Sequence, residues 1–224
     1  MNHATDSVQR GDGRRRDRAG ARWTALAAGL FCVALAGCSA LQRESPVRQT
    51  FLLDPPVPAA VAHPQQASLR VGRIEVAAPF RGKSFVYRTA DLRYVSDFYV
   101  EFLVPPASML AEQTARALDQ ARPFTQVAGP GSAADAQWVL DGFASAIYAD
   151  YRDKAKPAAE LDVTYYLTST TNAEQTPRWT REYRQRVPMR EATPQAYAEA
   201  LNQAFGKILA DRAQDLASAR PPAP

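Results

Sequence analysis

Hydrophobic and polar positions along the chain fall into two regimes. Residues 1–22 are polar and arginine-rich, and residues 23–37 (WTALAAGLFCVALAG) form an unbroken weakly polar-to-apolar run of 15 that ends at Cys38. A membrane-spanning helix needs roughly 20 apolar residues. The pattern therefore predicts a signal-peptide core, with a short transmembrane anchor as the alternative. Beyond a polar tether of 11 residues at 39–49, whose extended reach is at most about 40 Å, residues 50–54 (TFLLD) read as a short strand. Residues 55–67 hold four prolines and no periodicity, which predicts an extended path over the surface. From 68 to about 217 the patterning is continuous, roughly 150 residues, enough for one domain with a proper core. The tail, 218–224, is expected to fray.

Within the patterned region Leu69 and Val71 alternate with polar neighbours, and Ile74 and Val76 continue one position out of phase. A strand bulged at Gly72-Arg73 accounts for the slip. Residues 85–104 (FVYRTADLRYVSDFYVEFLV) are dense in β-branched and aromatic residues and predict two or three short strands. Pro105-Pro106 opens a helix whose apolar stripe is Leu110, Thr114, Ala117, Leu118 and Ala121, ending before Pro123. A short strand at 124–127 leads to the turn Gly129-Pro130-Gly131. Three long strands follow. The one at 137–150 is the most apolar and is expected at the centre, and those at 161–168 and 179–187 alternate as half-wet antiparallel strands. Thr193-Pro194 caps a final helix with the stripe Tyr197, Leu201, Ala204, Phe205, Ile208 and Leu216. The fold class is α/β: a single compact domain, a mixed β-sheet with two principal helices packed on it. The first helix is expected inside a right-handed strand–helix–strand crossover.

Composition removes several function classes. Of 27 basic and 23 acidic residues, six arginines and three aspartates lie in 1–37, leaving 21 and 20 in the rest. A net charge of +1 there offers nothing to hold a phosphate backbone, so no nucleic acid is expected as a partner. The two histidines are His3 and His63, and the two cysteines are Cys32 and Cys38. No Ser-His-Asp triad, Cys-His pair or histidine-rich metal site can be built from them, so neither enzymatic activity nor a cofactor or metal is expected. The carboxylates Asp150, Asp153, Glu160 and Asp162 lack a second catalytic group and are not read as an acid/base pair.

Leu35-Ala36-Gly37-Cys38 resembles the lipobox of bacterial lipoprotein precursors. The resemblance implies a cleaved signal peptide, 1–37, with the cut between Gly37 and Cys38. It also implies a diacylglyceryl group on the Cys38 thiol and acylation of the new amino terminus with palmitate, leaving 38–49 as a lipidated tether. Each buried methylene contributes about 0.8 kcal/mol, and two lipid signals already give stable attachment, so three chains hold the protein on a membrane. Ser39 stands where enterobacterial inner-membrane lipoproteins carry aspartate, which implies the periplasmic face of the outer membrane. With Cys32 removed and Cys38 acylated, no thiol is left for a disulfide, and stability must come from the core.

FLLDPP, RVGRIEVAAPF, SFVYRTADLRYVSDFYVEFLVPP, AEQTARALDQARPF, QWVLDGFASAIYADY and an alanine-rich closing helix come in the order of the ABC-type transport auxiliary lipoproteins, also called PqiC-like. The resemblance spans about 50–217. In Tyr99-Val100-Glu101-Phe102 a phenylalanine stands where many members have tryptophan, which leaves the subgroup open. The family implies a non-catalytic subunit working with an MCE-domain protein and inner-membrane ABC or permease subunits, moving phospholipid or other hydrophobic molecules between membranes and supporting envelope integrity. A cyclic MCE partner would suit a homo-oligomer. The alternative is a lipoprotein that regulates a peptidoglycan synthase through the cell wall, for which an 11-residue tether is short.

Tyr87, Arg88, Tyr94, Phe98, Tyr99 and Phe102 are the candidates for a partner or lipid surface, since aromatics dominate interface hot spots. The plainer alternative is ordinary strand packing. On an unbroken strand Tyr94 and Phe98 share one face and Tyr99 the other, so some aromatic area should stay uncovered. Arg178, Arg181, Arg184, Arg186 and Arg190, with Lys154 and Lys156, are better read as a solvated strand face than as a headgroup site.

Overall fold

The computed structural model describes residues 47–171 and 176–218. Its organising element is β6 (Trp138–Asp150), the strand the sequence predicts at the centre. One edge of β6 is paired antiparallel along its full length by β7 (Ala158–Ser169), and β8 (Pro177–Pro188) extends the sheet beyond β7. The other edge is shared end to end. There β2 (Gln65–Val76) runs parallel to the first half of β6, from Leu69↔Trp138 to Val76↔Ala144, and β3 (Ser84–Ala90) runs parallel to its last residues, Tyr87↔Ala149 and Arg88↔Asp150. A 3-10 turn at Ala78–Phe80 separates the two. The sheet therefore forks. One branch continues from β2 to β5 (Phe124–Ala128), and the other runs from β3 through antiparallel β4 (Arg93–Phe102) to β1 (Gln49–Phe51), parallel to β4.

Two helices, α1 (Pro106–Ala121) and α2 (Pro194–Ser218), complete a mixed, open eight-stranded α/β domain. Both apolar stripes predicted from spacing are buried: Leu110, Thr114, Ala117, Leu118 and Ala121 on α1, and all six residues from Tyr197 to Leu216 on α2. The ends follow local chemistry. The N–H of Ala196 donates to Thr193 Oγ1 at 3.3 Å, and α1 stops at Arg122 in the left-handed region with its N–H on the Leu118 carbonyl. Arg212, fully buried on α2, lies 4.2 Å from the Trp179 ring centroid and 4.9 Å from that of Tyr165, a cation sandwich that pins the helix to β7 and β8.

The bulge in β2 is where the phase slip places it, with register lost between Val71 and Ile74. Asp141 Oδ1 accepts from the Arg73 N–H at 2.9 Å there, and a side chain at Gly72 would sit 2.2 Å from that oxygen. Residues 85–104 hold two strands, and β1 is three residues long, shorter than expected.

Two expectations need correcting. The helix α1 leaves β4 and delivers β5, which runs opposite to β4, so it is not a crossover between parallel strands and the right-handed rule does not apply. The proline-rich segment is not merely laid over the surface. Pro55 is buried and the Val61 N–H donates to the Ala121 carbonyl at 2.8 Å, while just ahead of the segment Leu53 is buried and the Asp54 N–H donates to Asn202 Oδ1 at 2.7 Å. It straps both helices, and Pro56 packs so closely on Gly206 that a Cβ there would lie 2.8 Å from it.

Candidate functional site

All six residues singled out as a partner or lipid surface lie on the β3–β4 hairpin, where the structure divides them. Phe102 is 3% exposed and packs on Phe85 with ring centroids 4.6 Å apart, so it belongs to the core and not to a docking surface. Its neighbour on β1, Phe51, closes the same cluster. Tyr87 is half-buried, stacked on Tyr151 at 5.0 Å, with its hydroxyl on Asp97 Oδ2. Burial, reinforced by that carboxylate, pushes the Tyr87 phenol well above its usual range.

Arg88 and Tyr94 form a second group. The guanidinium lies 5.5 Å from the Tyr94 ring centroid and donates to the Asp91 carbonyl at 2.8 Å, while Tyr94 meets Phe80 and Tyr148 edge-on. The hairpin tip, Leu92, is 98% exposed, and Val95 is exposed beside it. The tip is tied down by Arg152, which donates to Asp91 Oδ1 at 3.0 Å and grips Asp150 through both carboxylate oxygens at 2.8–3.0 Å. Arg186 adds a third hold on Asp150 and pairs with Glu160. Hydrogen bonds from Arg152, aided by Arg186, keep the Asp150 carboxyl well below the usual carboxylate range in spite of its burial.

Phe98 and Tyr99 occupy a pronounced bulge. Between the pairs Val86↔Ser96 and Ser84↔Glu101, four residues of β4, 97–100, face the single Phe85 of β3. Asp97 shapes the excursion, its Oδ1 accepting from the N–H groups of Tyr99 (2.8 Å) and Val100 (3.1 Å). The result presents Phe98, 74% exposed, against Tyr99 in an edge-to-face pair at 5.1 Å. The alternation argument fails here because the strand is broken. Leu103, Val104 and Leu52 add exposed apolar area where β1 meets the end of β4. Periodicity passed over these three and Asp97, although an aspartate inside a β-branched and aromatic run is itself a sign of interrupted pairing.

Three of the four arginines of β8 find acidic neighbours: Arg181 pairs with Asp215 (2.6 Å), Arg184 with Glu182 (2.8 Å), and Arg186 with Asp150 and Glu160. An open trough of about 970 Å³ lies between the start of α1 and the β2–β6 region, lined by Arg73, Ala111, Asp141, Phe143 and Tyr166 among others, and none of the six candidates borders it. Among the described residues no group of three or more His, Cys, Asp or Glu side chains is placed to hold a metal ion, and no helix is long and apolar enough to cross a membrane. Cys38, Gly37 and the segments read from the sequence as signal and tether lie outside the described residues up to position 46, while Gln49, expected at the end of the tether, is already the first residue of β1.

A forked α/β sheet whose β3–β4 hairpin displays an aromatic bulge is the class of domain these features define. The profile of the ABC-type transport auxiliary lipoprotein component matches residues 51–213, and the chain belongs to that family. Among solved structures it is similar to a DUF330 protein from Xanthomonas campestris, at 18% identity over 74% of this chain and 92% of that one, with a TM-score of 0.65. An uncharacterized protein matches at 16% identity, 76% and 99% coverage and a TM-score of 0.59. Both likenesses establish the fold. No curated protein matches the sequence.

Proposed function

We propose that this chain is an outer-membrane-anchored periplasmic lipoprotein, held by acyl chains on Cys38, that serves as a non-catalytic auxiliary subunit of an MCE/ABC-type system moving lipid between membranes. The observation that carries the reading is the family match over 51–213 behind Leu35-Ala36-Gly37-Cys38. The anchor fixes one end of the path at the periplasmic leaflet of the outer membrane, and the domain offers the far end of the conduit the exposed tip of its β3–β4 hairpin. Its partners are an MCE-domain protein and inner-membrane ABC or permease subunits, with phospholipid or another hydrophobic molecule as cargo. A homo-oligomeric arrangement would suit a cyclic MCE partner.

Complementation tests this. Cells lacking the protein should become permeable to hydrophobic agents and recover with the full chain, but not with Cys38→Ala at equal abundance. Full recovery with the unanchored chain, in the soluble periplasmic fraction, would contradict the reading.

A further inference from the structure

We propose that the β4 bulge is a membrane-contact element: Phe98 and Tyr99, with Leu103 and Val104, seat the domain in the headgroup–acyl boundary of the leaflet that holds the Cys38 lipid. The inference rests on the anchor reading above and adds to it a defined face of the domain.

Geometry is the first argument. An exposed phenylalanine at a strand edge needs no explanation alone, but this one is projected by a dedicated device. Three extra residues break the ladder, one carboxylate accepts two backbone N–H groups to hold the loop, and the Tyr87 hydroxyl ties that carboxylate to the core. The pair it displays is an apolar ring beside a ring with a polar tip, the combination suited to a boundary that is oily on one side and wet on the other.

The second argument is the leash. The chain enters the domain at Val47, and β1 pairs with residues 100–102 of β4, next to the bulge. Nine peptide steps separate Cys38 from Val47, at most about 30 Å. A domain of this length has a diameter of about 40 Å. An acylated Cys38 therefore holds the β1–β4 edge within reach of the leaflet, while β8, five strands along the sheet from β1, is held further from it.

Charge at the patch is balanced: Arg48 and Lys83 both approach Glu101, each at 3.4 Å, and Asp97 supplies a second carboxylate in the bulge, so the apolar rings and not an excess of cations carry the contact.

The test uses the full acylated chain in vesicles of phosphatidylethanolamine and phosphatidylglycerol. Its mature form is expected to have no free thiol, so Phe98→Cys, Leu103→Cys and Thr180→Cys (on β8) can each be labelled with an environment-sensitive fluorophore. Emission at 98 and 103 should shift to the blue and be quenched several-fold more strongly by lipid-borne nitroxide than emission at 180. Asp97→Ala should weaken quenching at 98 with the circular dichroism unchanged. Labels at 98 and 103 that behave like 180, in protein that floats with vesicles and shows the acyl mass on Cys38, overturn the proposal and leave the anchor standing. A blue shift at 98 of equal size without vesicles would mark contact between copies and also overturn it. If the acyl mass is absent, the anchor reading fails separately. The Cys38→Ser chain titrated with the same vesicles then decides the contact: a response at 98 before 180 supports it, and equal responses overturn it.

Discussion

The Tyr87 hydroxyl donates to Asp97 Oδ2 at 2.9 Å, and through that bond a core tyrosine fixes the most exposed aromatic of β4. Asp97 Oδ1 in turn holds the N–H groups of Tyr99 and Val100. Tyr87→Phe removes one bond to a charged acceptor and should cost about 1.5 kcal/mol. Asp97→Ala removes all three and should cost about 2 kcal/mol, with faster amide exchange confined to residues 97–100. Urea unfolding with exchange mass spectrometry measures both; unchanged exchange in Asp97→Ala would remove the carboxylate from its organising role.

Gly72 and Asp141 make a second such pair. A methyl group at Gly72 would take the place of Asp141 Oδ1, which would then release the Arg73 N–H in the β2 bulge. Gly72→Ala should destabilise by about 1 kcal/mol, and Asp141→Ala by a similar amount. The double variant should cost little more than either, because both remove the same bond. Additive losses in urea unfolding would show that the glycine and the carboxylate act separately.

Acid stability should depend on Asp150. Its carboxyl is held below its unfolded value of about 3.9, so its contribution is present above about pH 4 and is lost as pH falls through the folded value. Asp150→Asn should cost about 2 kcal/mol at pH 7, a figure reduced from that of a fully buried pair because Arg152 and Arg186 are partly solvated. The deficit should shrink toward pH 3. A constant deficit across that range, measured by denaturant unfolding, would assign the effect to shape instead of charge.

Alkaline behaviour has the opposite sign. Burial raises the phenols of Tyr87, Tyr148, Tyr151, Tyr165, Tyr183 and Tyr197, with Tyr151 pushed up to about 12. The folded state keeps these protons, so stability is full below about pH 10 and is lost as pH rises beyond it. Tyrosinate absorbance at pH 11 should report far fewer ionised groups in the native protein than in urea, with the remainder appearing together as the fold is lost. Native and unfolded titrations that superimpose would contradict the packing described here.

Where spacing alone decides burial, the sequence was readable. The stripe from Tyr197 to Leu216, the cap at Thr193, the bulge at Gly72-Arg73 and the central place of β6 all follow from periodicity and local chemistry. Long-range pairing was not readable. That two strands share one edge of β6, and that β5 runs opposite to β4, depends on partners distant in sequence. The aromatic surface failed at one residue's resolution: Phe102 turns inward and Phe98 outward because Asp97 inserts extra residues, and period-two counting cannot pass through a bulge.

Capture of the full-length, Cys38-acylated chain after in-cell cross-linking, in mild detergent and with mass spectrometry, tests the adaptor role most directly. The adaptor role predicts recovery of an MCE-domain protein with its ABC or permease subunits, with cross-links concentrated at the exposed tip of the β3–β4 hairpin around Leu92, away from the Phe98 bulge. Recovery of peptidoglycan synthases with no MCE component would contradict it and make the chain a regulator of wall synthesis.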